Sequence, residues 1–208
     1  MPQWFIDSPM WIDDEGNPQK IGHTSKKTIK HCLPFLDSLT CGYILETWTE
    51  IYVSKSLTNN IQVTWGTNEI PILEFRGSNF SKLLPTPLGC NPDQFTWQMP
   101  FGIKTPPGYS VLITHPFNRG DLPFTTLTGV IDSDKGTHGG NLPVFFSDSF
   151  EGIIPIGTPI AQVMPFKREN WNSSVINDEE LYKDMEYQVG KFFYGGYKKT
   201  KWHKKTFN

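Results

Sequence analysis

Five residues in a short stretch carry groups suited to chemistry: Asn118, Arg119, Asp132, Asp134 and Lys135. A guanidinium matches phosphate oxygens in a bidentate way, so Arg119, with Asn118 beside it, can meet an anion. Asp132 lies in the run Thr128-Gly129-Val130-Ile131-Asp132-Ser133-Asp134. A carboxylate buried at a strand end has its pKa raised toward the range of a general base. The plainer reading of Asp132 is a turn residue that bonds its own backbone before Ser133. His115 and His138 could join Asp132 and Asp134 around a metal only if their loops converge. Neither histidine has an acid two residues later, since Phe117 and Gly140 stand there, so no metal is expected. His115, followed by Pro116, reads as a strand-end residue bonded to backbone.

Nucleophilic chemistry finds less support. No Gly-x-Ser-x-Gly elbow occurs, and the adjacency of His31 and Cys32 puts their side chains on different faces. Cys32, Cys41 and Cys90 are odd in number and form no Cys-x-x-Cys pair. A disulfide scaffold and a zinc site are therefore both disfavoured, and a reducing compartment fits better. The run from Lys135 to Gly140 lacks the spacing of a phosphate loop and reads as a mobile surface loop.

These residues need strands to hold them. The 208 residues contain 18 Gly, 17 Pro and 14% aromatics, with 19% charged. That composition excludes a coiled coil and a disordered chain, and it favours many short strands joined by tight turns. Strands are predicted at 48–54, 61–65, 70–75, 95–99, 108–115, 142–147 and 161–166. Turns separate them at Thr58-Asn59-Asn60, Gly66-Thr67-Asn68, Pro106-Pro107-Gly108, Gly139-Gly140-Asn141 and Pro155-Ile156-Gly157. The first 39 residues read as an irregular arm whose aromatics dock on the body, with one short helical segment interrupted at Pro34. A β domain follows over 40–170. Residues 171–208 supply a helix capped by Asn177, striped by Leu181, Met185, Val189 and Phe192, and ended by Gly195-Gly196. No run approaches the ~18 to 20 apolar residues of a membrane span. The N-terminal MPQWFIDSPMW has no signal-peptide pattern, so a cytoplasmic protein without a membrane partner is expected.

Charge is unevenly spread. All 21 acidic residues precede position 187, and the last 22 residues hold six lysines (Lys191, Lys198, Lys199, Lys201, Lys204 and Lys205). Interleaved with Phe192, Phe193, Tyr194, Tyr197, Trp202 and Phe207, they could pair phosphates by charge and stack on bases. The competing reading has the aromatics packing on the body or a neighbouring subunit while the lysines stay in water.

The block from 101 to 166 also resembles a known family. Pro106-Pro107-Gly108-Tyr109 leads into a strand, and Gly129-Val130-Ile131-Asp132 and Ile160-Ala161-Gln162 follow in order, with Thr40-Cys41-Gly42-Tyr43 upstream. This order resembles dUTP pyrophosphatase and its relative dCTP deaminase over roughly residues 40–166. The resemblance implies an all-β core of the β-clip or distorted jelly-roll type, assembled as a homo-oligomer, with a trimer favoured. It implies that Asp132 stands where the family orients the attacking water. Lys135 stands near the place of the uracil-stacking tyrosine, and Ile44 replaces an aspartate of the metal–water shell. His115-Pro116-Phe117-Asn118-Arg119-Gly120 takes the place of the phosphate segment, and the closing C-terminal motif is absent. The deaminase's catalytic Glu and Arg-Ser-Ser segment are absent too. The whole chain further resembles an uncharacterised family found in bacteria and tailed phages, which adds the virion to the expected locations.

Three functions follow as expectations. The first is a non-catalytic protein of the dUTP pyrophosphatase fold that acts in oligomeric binding or assembly, without a cofactor. The second is a divergent nucleotide hydrolase or deaminase with Asp132 as base, Asn118, Arg119, Asp134 and Lys135 as ligand-binding residues, and Mg²⁺ in that case alone. The third is a nucleic-acid-binding accessory protein acting through the tail.

Overall fold

Runs of β-branched and aromatic residues broken by Gly, Pro and Asn dictate short strands, and strands dominate the middle of the chain. The computed structural model describes residues 1–66, 70–136, 138–192 and 196–207, with the backbone alone at 80–81, 138–140, 185–186, 188–192 and 200. The chain divides into two compact units. Gly42–Arg168 forms one; Met1–Cys41 and Glu169–Asn208 together form the other.

The N-terminal residues are more regular than the expected irregular arm. They form α1 (Gln3–Asp7), the pair β1 (Trp11–Ile12) and β2 (Lys26–Lys27), a single 3₁₀ turn (Ile29–His31) and α2 (Leu33–Thr40). Pro34 does not interrupt α2. It occupies the first turn, where its missing N–H has no intrahelical partner to lose. Phe5 is buried and stacks on Phe35 of α2 with ring centroids 6.0 Å apart, and Trp4 meets Phe35 edge-on at 6.2 Å.

The β unit contains β3 (Tyr43–Glu46), β4 (Ile51–Lys55), β5 (Ile61–Trp65), β6 (Leu73–Phe75), a short α3 (Ser78–Ser81) and β7 (Cys90–Ile103). After these come β8 (Tyr109–Thr114), β9 (Phe124–Thr126), β10 (Gly129–Ile131), β11 (His138–Ser147), β12 (Gly152–Ile154) and β13 (Pro159–Lys167). Among the described residues they make three antiparallel sheets, in the orders β10-β8-β13-β3, β6-β7-β11-β9 and β12-β4-β5. The unit is thus all-β, as composition and alternation predict. Side chains from all three sheets meet in one core, with Ile51, Trp97, Val144 and Ile160 fully buried. The Trp97 indole N–H donates to Thr126 Oγ1 (2.9 Å), and that hydroxyl donates to the Ile160 carbonyl (2.6 Å). Buried polar atoms at the centre are thereby satisfied.

Two local expectations are corrected. Gly139-Gly140-Asn141 is not a turn but part of β11, and His138–Gly140 is strand rather than surface loop. A register shift between Gly139 and Asn141 absorbs the glycines as a bulge would. Thr67, Asn68 and Thr137 lie outside the described residues.

After the β unit, α4 (Glu179–Phe192) and α5 (Gly196–Thr200) follow. The cap of α4 is Asp178 rather than Asn177, for Asp178 Oδ1 accepts from the amides of Glu180 (2.9 Å) and Leu181 (3.2 Å). Gly196 opens α5 instead of ending α4. Gly195, Phe193 and Tyr194, and the side chains of Met185, Val189 and Phe192, lie outside the described residues. Among the described residues, no helix is long and apolar enough to cross a membrane.

Candidate functional site

Three strand ends meet around Asp132. β10 pairs with β8 so that Ile131 faces Val111, which sets Asp132 opposite Ser110. β13 lies on the other side of β8, with Phe166 facing Ser110 and Lys167 facing Tyr109. The amide of Arg168 continues this ladder by donating to the Gly108 carbonyl at 2.8 Å. The Pro106-Pro107-Gly108 turn fits here because Gly108 takes φ +83°, a conformation other residues adopt only with strain.

Arg168 closes the arrangement. Its Nη1 donates to the Tyr109 carbonyl (3.0 Å), Ser110 Oγ (2.9 Å) and Asp134 Oδ1 (3.1 Å), with Asp132 Oδ1 at 3.4 Å, and Nη2 donates to Asp134 Oδ2. Ser110 Oγ donates to Asp132 Oδ1 at 2.6 Å, and the Gly108 amide donates to Asp134 Oδ2 at 2.9 Å. Between the two acids, Ser133 is fully buried. Thr105 Oγ1 donates to the Tyr109 carbonyl (3.0 Å), so the contact between Thr105 and Ser133 hydroxyls (2.9 Å) has Ser133 as donor.

The two carboxylates differ in kind. The Asp132 side chain is 56% exposed, against the burial expected of a strand-end base, and Asp134 is the enclosed one at 7%. The Arg168 guanidinium, followed by the Gly108 amide, holds the Asp134 pKa down to about 2. A carboxylate with so low a pKa is a weak proton acceptor. Asp134 is therefore an electrostatic anchor for the strand ends.

Of the remaining candidates, one is adjacent and two are placed elsewhere in the unit. Lys135 is exposed just beyond Asp134. Asn118 and Arg119 follow the far end of β8, about 14 Å along the strand from Ser110 at ~3.4 Å per residue. Asn118 takes φ +58°. Arg119 forms a fork with Asp121, Nε to Oδ1 at 2.8 Å and Nη2 to Oδ2 at 2.9 Å. It lines a 320 Å³ pocket whose other walls include Leu122, Phe150, Ile153 and Pro155. Within one chain, then, Asp132 and Asp134 come together with Lys135 beside them, while Asn118 and Arg119 do not join them.

His115 is a backbone-bonded residue, as its place before Pro116 suggests. The Thr126 amide donates to Nδ1 (3.4 Å), so Nε2 carries the proton and donates to the Arg119 carbonyl (3.0 Å). Burial lowers its pKa below the usual imidazole value. The side chain of His138 lies outside the described residues, and among those described no three His, Cys, Asp or Glu side chains form a metal-binding group.

In the tail, the Trp202 indole N–H donates to Asp37 Oδ2 (2.9 Å) and Lys205 Nζ donates to the same oxygen (2.6 Å). An aromatic and a lysine of this segment are thus anchored on α2, while Lys198, Lys199, Lys201 and Lys204 are exposed.

Arg168 and Ser110 escape the sequence reading. Each is an ordinary residue at a strand end, and only the pairing of β8 with both β10 and β13 brings them to Asp132. A usable signal was the lone arginine directly after the last strand, with two acids and no nearby cation except Lys135 at the other strand end. Neither protein-family models nor curated protein sequences match this chain.

Proposed function

We propose that this is a non-catalytic protein of the dUTP pyrophosphatase fold, working as an oligomeric binding or assembly protein. The observation that carries the reading is the use made of Asp132, Ser133 and Asp134. Arg168, Ser110, Thr105 and Gly108 engage all three, so the segment that resembles a catalytic motif serves as a clasp for three strand ends. The β-clip assignment belongs to the same proposal. It is supported by the positions of Gly129-Val130-Ile131 and Ile160-Ala161-Gln162 on β10 and β13, which flank β8 in one sheet.

Self-association is supported by the outer face of that sheet. Val111 and Ile113 of β8 point into the core, so Leu112 and its cross-strand partners Val130 and Met164 point out, and Val130 is 61% exposed. Phe166, two residues beyond Met164, shares that face and is exposed. An apolar row of this kind suits a second copy of the chain, in a trimer or another closed assembly.

Two measurements test the reading. Light scattering should give a mass above 23.8 kDa, and a monomer at all concentrations overturns assembly. Incubation with dUTP or dCTP and Mg²⁺ should release neither pyrophosphate nor ammonia. Turnover that vanishes in Asp132→Asn would establish the second reading, a divergent hydrolase or deaminase.

A further inference from the structure

β5 is the outer strand of its sheet and β6 the outer strand of another. The alternation of backbone hydrogen bonds shows which way their polar groups turn. The Ser56 amide donates to the Asn60 carbonyl, across to β4, while the next amide, Ile61, turns away to Asp93 Oδ2 (2.9 Å). Gln62 and Thr64 therefore bond toward β4, and Val63 and Trp65 direct N–H and C=O outward. On β6 the Ile72 carbonyl accepts from Gln98 and the Arg76 amide donates to Gln94, both toward β7, so Leu73 and Phe75 direct theirs outward. Among the described residues, these outward groups have no hydrogen-bond partner.

A groove of 450 Å³ runs along this edge. All five residues of β5 line it, together with Ser54, Leu73, Phe75 and Phe95, and none of these is charged. The Phe75 and Phe95 rings lie 5.1 Å apart in its wall, with Phe75 58% exposed. Unpaired strand edge beside exposed aromatic surface is the setting in which an extended peptide adds as a further strand.

The chain itself carries a matching peptide. From Asn170 to Asn177 there is no charge and no regular secondary structure, and Trp171 (84%), Val175 (101%) and Ile176 (65%) stand in solvent. In an extended conformation Trp171, Ser173 and Val175 share one face and Asn172, Ser174 and Ile176 the other. Trp171 and Val175 would meet the Phe75–Phe95 wall, and Asn172 and Ser174 would stay wet. The segment and the groove lining are both uncharged, and Asp93, which reaches this edge, is already bonded to the Ile61 amide.

We propose that residues 170–177 of a second copy add as a strand to the outer edge of β5, which deepens the assembly reading and rests on it. The experiment pairs the double variant Trp171→Asp/Val175→Asp with a fluorescent peptide of residues 169–178. Light scattering should find the wild type oligomeric and the double variant monomeric with unchanged circular dichroism. The peptide should bind the double variant saturably, and at least tenfold more weakly after Val63→Pro, which deletes one outward N–H and no bond to β4. A double variant that keeps the wild-type mass, or a peptide that does not bind it, overturns the strand exchange and leaves assembly standing. A monomeric wild type overturns both. If that monomer still excludes the peptide while the double variant takes it up, the occupant is the chain's own segment and not a second copy's.

Discussion

Asp132 and Asp134 are separated by one residue, yet one faces water and the other is enclosed against Arg168. Because the folded-state pKa of Asp134 lies below the ordinary 3.8, the unfolded chain binds that proton more readily. Its contribution to stability is therefore complete above about pH 5 and is lost as pH falls toward 2. Asp134→Asn should lower the urea midpoint at pH 7 and flatten the acid limb of the stability profile between pH 5 and 2. A profile identical to wild type would show that the Arg168 contact does not stabilise the fold. The acid pair could be found in the sequence, since Gly-Val-Ile-Asp-Ser-Asp is a local string. Its cation could not. Arg168 is 34 residues from Asp134, and their meeting depends on two strand pairings that no local pattern encodes. Asn118 and Arg119 stand out by residue type and by their place in the segment resembling a phosphate site, and the intervening length of β8 carries them to the other end of the sheet.

At the scale of elements, Gly42 and Trp97 are two positions where substitution should be costly. Gly42 has φ +70°, and a Cβ there would lie 2.2 Å from the Val163 carbonyl oxygen, where β3 crosses β13. Gly42→Ala should cost about 1–3 kcal/mol or more in denaturant unfolding, from strain and collision together. Trp97→Ala should cost about 3–5 kcal/mol, since a fully buried indole leaves a cavity and strips Thr126 of its donor. Elements were most legible where alternation and turn residues agreed. Ile61–Trp65 ends where predicted because Asn59, with φ +63°, turns the chain before it and Gly66 follows. Short strands such as Gly129–Ile131 and Gly152–Ile154 carry too few residues for a period, and partners impose their extension. The glycines of β11 and Pro34 of α2 misled for a common reason. A breaker residue interrupts an element only where its particular geometry conflicts with the bond it removes.

At the scale of the whole molecule, the β unit is continuous in sequence and the other unit is built from both ends of the chain. Asp37 binds these ends together by accepting from Trp202 and Lys205. Asp37→Ala should speed tryptic cleavage at Lys198 to Lys205 several-fold while the β unit resists, and an unchanged digestion rate would remove this anchor from the account. The arrangement also bears on biosynthesis. A ribosome moving from N- to C-terminus delivers every residue of the β unit before it has made Trp202. A chain ending at Arg168 should therefore already protect the amides of β7, β8 and β11 from deuterium, while Asp37 lacks the Trp202 and Lys205 donors it binds in the full chain.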